Sequence, residues 1–155
     1  MKKITLKDKT FKTFIPYDRL KKAIDEVAEK LNADFNGCED IPVLLCVLNG
    51  SIMFTSELMK RLTFNCQIVS TKLTSYEGTN TTGKVKQAMG LTADVTGKKV
   101  IIVEDIVETG HSMNYLLDYL KERKPASISI CTLFFKPDKF LYEYNIDYVA
   151  MPIGN

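Results

Sequence analysis

Val100-Ile101-Ile102-Val103-Glu104-Asp105-Ile106-Val107-Glu108-Thr109-Gly110 decides how the chain is read. Four branched apolar residues in a row suit a strand buried on both faces, as in a parallel sheet. The run meets two acids, Glu104 and Asp105, at the expected strand end. A loop with Glu108, Thr109 and Gly110 follows, and the next helix is expected from about Ser112 to Glu122, with Met113, Leu116, Leu117 and Leu120 inward. Lys124-Pro125 stops it. A strand, a short loop with a glycine and a helix N-terminus together make a cradle for an anion, most naturally phosphate. In that cradle Gly110 is expected to let the backbone approach the ligand, while Thr109 and Ser112 add hydroxyls. Acids beside a phosphate repel it unless they hold ribose hydroxyls, a bound cation or a base proton.

The pattern repeats outward. Leu20, Ala23, Ile24, Val27, Ala28 and Leu31 fall on one face of a helix over 16–32. Val43-Leu44-Leu45-Cys46-Val47-Leu48 is a second continuous apolar run, ending at Asn49-Gly50. A helix over 51–62, strands at 66–73 and 127–135, and a further strand at 146–151 complete the set. Buried strands alternating with helices predict an α/β fold with a mostly parallel sheet. In such sheets ligands sit at the carboxyl ends of the strands. The places to search are therefore 48–51, 104–111 and 136–138.

The 155 residues, 45% of them hydrophobic, fit one globular domain over 1–155. A net charge of +2, from 21 basic and 19 acidic residues, supplies no electrostatic footprint for nucleic acid. The four cysteines match no zinc spacing, and the three in or beside apolar, strand-like runs read as buried hydrophobes in a reducing compartment. The N-terminus carries no apolar stretch after its lysines, so neither a secretory signal nor a membrane span is expected, and the cytoplasm is the expected location.

The segment 100–110 resembles the 5-phosphoribosyl 1-pyrophosphate (PRPP) signature of the type I phosphoribosyltransferases: four apolar residues, two acids, two apolar residues, an acid, Thr and Gly. Three further segments resemble the hypoxanthine (or hypoxanthine-guanine) branch of that family. Val47-Leu48-Asn49-Gly50-Ser51 resembles its pyrophosphate loop. Leu73-Thr74-Ser75-Tyr76, with Thr81-Thr82-Gly83-Lys84-Val85-Lys86 after it, resembles its mobile lid. Phe135-Lys136-Pro137-Asp138 resembles its purine-reading segment. The matches occur in family order and cover about residues 5–150.

The resemblance implies a purine salvage transferase forming inosine or guanosine monophosphate and pyrophosphate from hypoxanthine or guanine and PRPP, with Mg²⁺. It implies the type I phosphoribosyltransferase fold and a homodimer or homotetramer, without nucleic-acid or membrane partners. Glu104 and Asp105 would hold the ribose hydroxyls, and through them or water the Mg²⁺. Thr109, Gly110, His111, Ser112 and Met113 would wrap the 5′-phosphate, His111 through its backbone N–H. Asn49 and Gly50 would face the pyrophosphate, across a loop whose peptide bond is often cis in the family. Ser75 and Tyr76 would close over the reacting centre, and Lys136 would donate to the purine 6-oxo group. Glu108 stands where the family has an aspartate acting on the purine imidazole nitrogen. Lys84 and Lys86 read as solvated, and Phe134-Phe135 as packing.

The sequence departs from the family pattern after Met151. Met151-Pro152-Ile153-Gly154-Asn155 offers no counterpart for the aromatic that stacks on the purine, the distal aspartate or the later basic residue, so the hood over the purine is expected to be incomplete. Three readings follow: a transferase, a PRPP- or nucleotide-binding protein with weak or no turnover, and a structural or assembly partner.

Overall fold

The computed structural model describes residues 3–76, 85–89 and 91–154. An antiparallel hairpin of β1 (Lys3–Leu6) and β2 (Lys9–Lys12) precedes the main body. The main body runs α1 (Tyr17–Phe35), β3 (Val43–Leu48), α2 (Ile52–Met59), β4 (Gln67–Tyr76), β5 (Val85–Met89), β6 (Lys99–Val107), α3 (His111–Lys121), β7 (Ser127–Phe135) and β8 (Tyr148–Pro152). The six strands of the main sheet lie in the order β5-β4-β3-β6-β7-β8. Every neighbouring pair is parallel except β4 with β5.

Period-two alternation sorts the central strands onto two cores. Leu44, Ile101, Val103, Cys131 and Leu133 face one cluster with Ile24, Val27 and Leu31 of α1 and Phe54 and Leu58 of α2. Val43, Leu45, Val47, Val100, Ile102 and Ile130 face the other, with Met113, Leu116, Leu117 and Leu120 of α3. Both faces of the middle strands are thus covered, as their unbroken apolar runs require. Helix α1 extends three residues beyond its expected end because Phe35, one turn past Leu31, continues the buried stripe. Arg61, just past α2, ties the two helices of its face together. It donates to Asp25 Oδ1 at 2.5 Å and to Glu57 Oε2 at 2.8 Å.

Strand β6 departs from expectation in a way that matters for the site. It does not stop at Val103. Its pairing with β3 ends there, at Cys46 and Val103, but pairing with β7 continues through Glu104, Ile106 and Val107. Both acids therefore lie within β6, with Glu104 paired from one side only, to Thr132 of β7. All four cysteines are free, Cys46 and Cys131 buried and Cys38 and Cys66 half-buried. Among the described residues no helix is long and apolar enough to cross a membrane.

Ile101 is fully buried in the central strand. Ile101→Ala should lower unfolding free energy by about 2–5 kcal/mol in a denaturant titration. A loss below about 1 kcal/mol would contradict this placement of the core.

Candidate active site

Between β3 and β6 the chain turns to opposite sides. After β3 it continues through α2 to β4, and after β6 through α3 to β7. That is a topological switch point, where loops diverge and leave a crevice. The loop from β3 enters it through a cis peptide bond between Leu48 and Asn49, as the family resemblance implies. Ser51, fully buried, pins this loop, its hydroxyl donating to Val47 O at 2.6 Å and lying 3.2 Å from Cys46 Sγ. A Cβ on Gly50 would lie 3.5 Å from Asp105 Cβ and 3.7 Å from its Oδ2. Gly50 and Asp105, 55 residues apart in the sequence, are thereby neighbours.

Glu104 accepts the Asp105 N–H on Oε1 at 2.8 Å. Burial pushes the Glu104 carboxyl up to about 7, with the charge of Asp105 adding to the rise and the Asp105 N–H opposing it. Burial also raises Asp105. Two desolvated carboxylates side by side are the arrangement that a nearby cation relieves. Their oxygens are hard donors of the kind Mg²⁺ takes. Among the described residues no group of three or more His, Cys, Asp or Glu stands ready to hold a metal, so substrate oxygens and water would have to complete the shell. The donor set fits an ion held partly by a ligand.

Beyond Val107 a cavity of about 170 Å³ is lined by Glu104 and by 106–113. It contains the loop and the first turn of α3, where the helix dipole favours an anion. Gly110 caps this helix at φ +91, a left-handed conformation suited to glycine. Its missing side chain also serves packing. A Cβ there would meet Phe140 Cε1 and Tyr144 Oη at 2.6 Å and Tyr142 Cδ2 at 3.0 Å. His111 is also engaged on its side-chain end, with Nδ1 2.7 Å from Tyr142 Oη, leaving its backbone in the cavity wall.

Lys136, at the end of β7, donates its backbone N–H to Val107 O at 3.0 Å. Its Nζ lies 3.1 Å from Glu108 Oε1, and Lys139 Nζ approaches Glu108 Oε2 at 4.0 Å. The two groups expected to read the purine are thus paired with each other. Phe135 packs edge-on against Phe140, with ring centroids 5.3 Å apart, and Phe134 packs against the α1 core, as expected for a packing pair. Ser75 and Tyr76 end β4, their backbones opposite Lys86 and Val85 of β5. The remainder of the expected lid, 77–84, including Lys84, lies outside the described residues.

Sequence reasoning missed the aromatic strap Phe140-Leu141-Tyr142-Glu143-Tyr144. Its signal was the alternation of aromatic and exposed residues at period two, which reads as an edge segment with one packed face.

The chain was compared with known proteins. A family model described as the phosphoribosyl transferase domain matches residues 16–152. The hypoxanthine-guanine-xanthine phosphoribosyltransferase of Tritrichomonas foetus is 37% identical over 139 residues, covering 89% of this chain and 75% of that protein. The hypoxanthine-guanine phosphoribosyltransferase of Streptococcus agalactiae is 37% identical over 131 residues, covering 84% and 72%. A crystal structure of a hypoxanthine-guanine phosphoribosyltransferase from Bacillus anthracis matches with a TM-score of 0.83 at 28% identity, covering 92% of this chain and 84% of that one.

The raised Glu104 carboxyl makes a signed prediction for the ligand-free, metal-free protein. Between its ordinary 4.5 and about 7 the folded state keeps a proton that the unfolded chain has released. Stability should therefore fall as pH rises through that window, by up to about 3 kcal/mol. Denaturant titrations across it should show the fall in wild type and a flatter profile in Glu104→Gln. Equal slopes in both proteins would remove Glu104 as the cause.

Proposed function

The chain belongs to the phosphoribosyl transferase family, and from that membership we propose that it is a purine salvage enzyme joining hypoxanthine or guanine to PRPP, releasing pyrophosphate and the nucleoside monophosphate. The observation that carries the reading is the meeting of Gly50 with Asp105, next in the chain to Glu104, which lines the 106–113 cavity. One crevice thereby offers a pyrophosphate loop, a pair of ribose-holding acids and a phosphate cradle.

In the proposed reaction the first turn of α3 and the loop before it bind the 5′-phosphate through Thr109, Gly110, His111, Ser112 and Met113. Glu104 and Asp105 orient the ribose through its hydroxyls. Asn49 and Gly50 hold the pyrophosphate. Mg²⁺, held through ribose or water by Glu104 and Asp105, would supply charge neutralisation for the leaving group. A purine ring nitrogen forms the bond to the anomeric carbon while the bond to pyrophosphate breaks, and Glu108 accepts the hydrogen bond or proton of the imidazole ring. Ser75 and Tyr76 exclude water, which would otherwise capture the oxocarbenium-like centre.

The Lys136–Glu108 pair suits purine entry. With side chains 19% and 42% exposed, it is an ion pair of small net worth, about 0–1 kcal/mol, so an incoming base separates the partners at little cost. Lys136 then donates to the 6-oxo group and Glu108 turns to the imidazole edge. A 6-amino group offers Lys136 no comparable acceptor, which selects against adenine. The cytoplasm and a homodimer or homotetramer belong to the same proposal, the four free thiols being compatible with a reducing compartment. The transferase names of the relatives favour turnover over mere nucleotide binding.

The test is Mg²⁺-dependent formation of inosine monophosphate from hypoxanthine and PRPP, with guanine and xanthine run alongside. A folded sample with no turnover at saturating substrates would overturn the proposal. Lys136→Met should lower kcat/KM for hypoxanthine by about 10- to 100-fold, the loss of a charged hydrogen bond, while leaving KM for PRPP within about twofold. An equal loss on both substrates would remove Lys136 from purine recognition.

A further inference from the structure

The segment after Lys136 does more than connect β7 to β8. It lies along the outside of the phosphate loop and makes three polar contacts with it. Leu141 N–H donates to Thr109 O at 3.0 Å. Tyr144 Oη donates to Gly110 O at 2.5 Å. Tyr142 Oη meets His111 Nδ1 at 2.7 Å. The rings that carry these hydroxyls hold one another, Phe140 against Tyr144 at 5.1 Å and Tyr142 against Tyr144 at 5.4 Å. Phe135 and His111 close the two ends of the cluster at 5.3 and 5.4 Å.

Peptide geometry gives these contacts a consequence for the cavity. A trans peptide is planar, and its C=O and N–H point in opposite directions. Holding Thr109 O and Gly110 O toward the strap therefore turns the N–H groups of Gly110 and His111 the other way, toward the cavity that residues 106–113 line, where the His111 N–H meets the Thr109 hydroxyl at a long 3.4 Å. Gly110 O also accepts from Asn114 N–H at 2.8 Å, the first hydrogen bond of α3, so the same carbonyl joins strap and helix. With no such anchor a glycine peptide at positive φ turns over readily, because nothing on Cβ resists it. The space that a Cβ would need is filled by the strap itself.

We propose that Tyr144, seconded by Tyr142, is a positioning residue for the 5′-phosphate site: the aromatic strap fixes the peptide planes at 109–111 so that their N–H groups are presented to phosphate before it arrives. The inference rests on the reading of 109–113 as the phosphate cradle. It assigns no contact between either tyrosine and substrate. Orientation of the donors in advance is what lets a site bind an anion without reorganising.

Tyr144→Phe removes the hydroxyl and keeps the ring in the cluster. The expected result is a rise of about three- to tenfold in KM for PRPP, the worth of one net hydrogen bond, with KM for hypoxanthine within about twofold of wild type. Calorimetric binding of ribose 5-phosphate, which needs no base and no turnover, should weaken by a similar factor. Tyr142→Phe should move both in the same direction by a smaller factor. A general loss of packing would instead raise both KM values together and lower the thermal midpoint without this selectivity, and that pattern overturns the proposal. Unchanged PRPP and ribose 5-phosphate affinity in Tyr144→Phe also overturns it. Should Tyr144→Phe fail to fold, Tyr142→Phe decides by the same two readouts. If wild type turns over no purine but binds ribose 5-phosphate, the enzymatic reading has failed while the strap is still judged by that binding. If wild type binds no ribose 5-phosphate, the strap proposal falls with the cradle.

Discussion

Past the pairing of Cys46 with Val103, β3 and β6 no longer share hydrogen bonds, and each backbone needs other partners. β3 solves this by turning, with the buried Ser51 hydroxyl on Val47 O and the Ser51 N–H on the same carbonyl at 3.3 Å. β6 solves it by running on along β7 alone as far as Val107. The crevice between the two solutions is the site. Its one wall is a loop with a glycine against Asp105; its other is a strand bearing Glu104 and Asp105. The position of those acids thus follows from the loss of one of two pairing partners.

The same divergence sets the electrostatics. Glu104 is on a strand rather than a solvated loop, so its carboxyl is desolvated and raised, and the adjacent Asp105 opposes a second charge. A ligand bearing hydroxyl donors or a bound cation answers that pair, while the first turn of α3 a few residues on answers an anion. One end of the crevice favours positive partners and the other negative ones, a polarity that matches a ribose carrying phosphate and a metal-bound pyrophosphate.

Much of this was legible from residue order. The unbroken apolar runs at 43–48 and 100–103 and the largely apolar stretch at 127–135 predicted parallel strands covered on both faces, and the helix stripe from Leu20 to Leu31 predicted α1. The extension of β6 through Glu104 and Asp105 was not legible, because acids after an apolar run read locally as a strand end. Their partner, Thr132 to Phe135 on β7, is supplied by tertiary pairing. The β1–β2 hairpin was missed because all eight of its residues are exposed and show no burial alternation. β5, Val85–Met89, is a short antiparallel edge strand that its own residues do not announce. The loop glycine Gly110 was legible, but the aromatic strap filling the space at its Cα was not, since it depends on residues 30 and more positions away.

The central claim is that the β3–β6 crevice is a PRPP site organised by the acids of β6. Calorimetric titration of PRPP with Mg²⁺ into wild type and into Asp105→Asn tests it without requiring a purine or turnover. The account predicts saturable binding in wild type and a loss of roughly tenfold or more in the variant, in line with a charged hydrogen bond removed from a partly buried site. Equal affinity in the two proteins would contradict it.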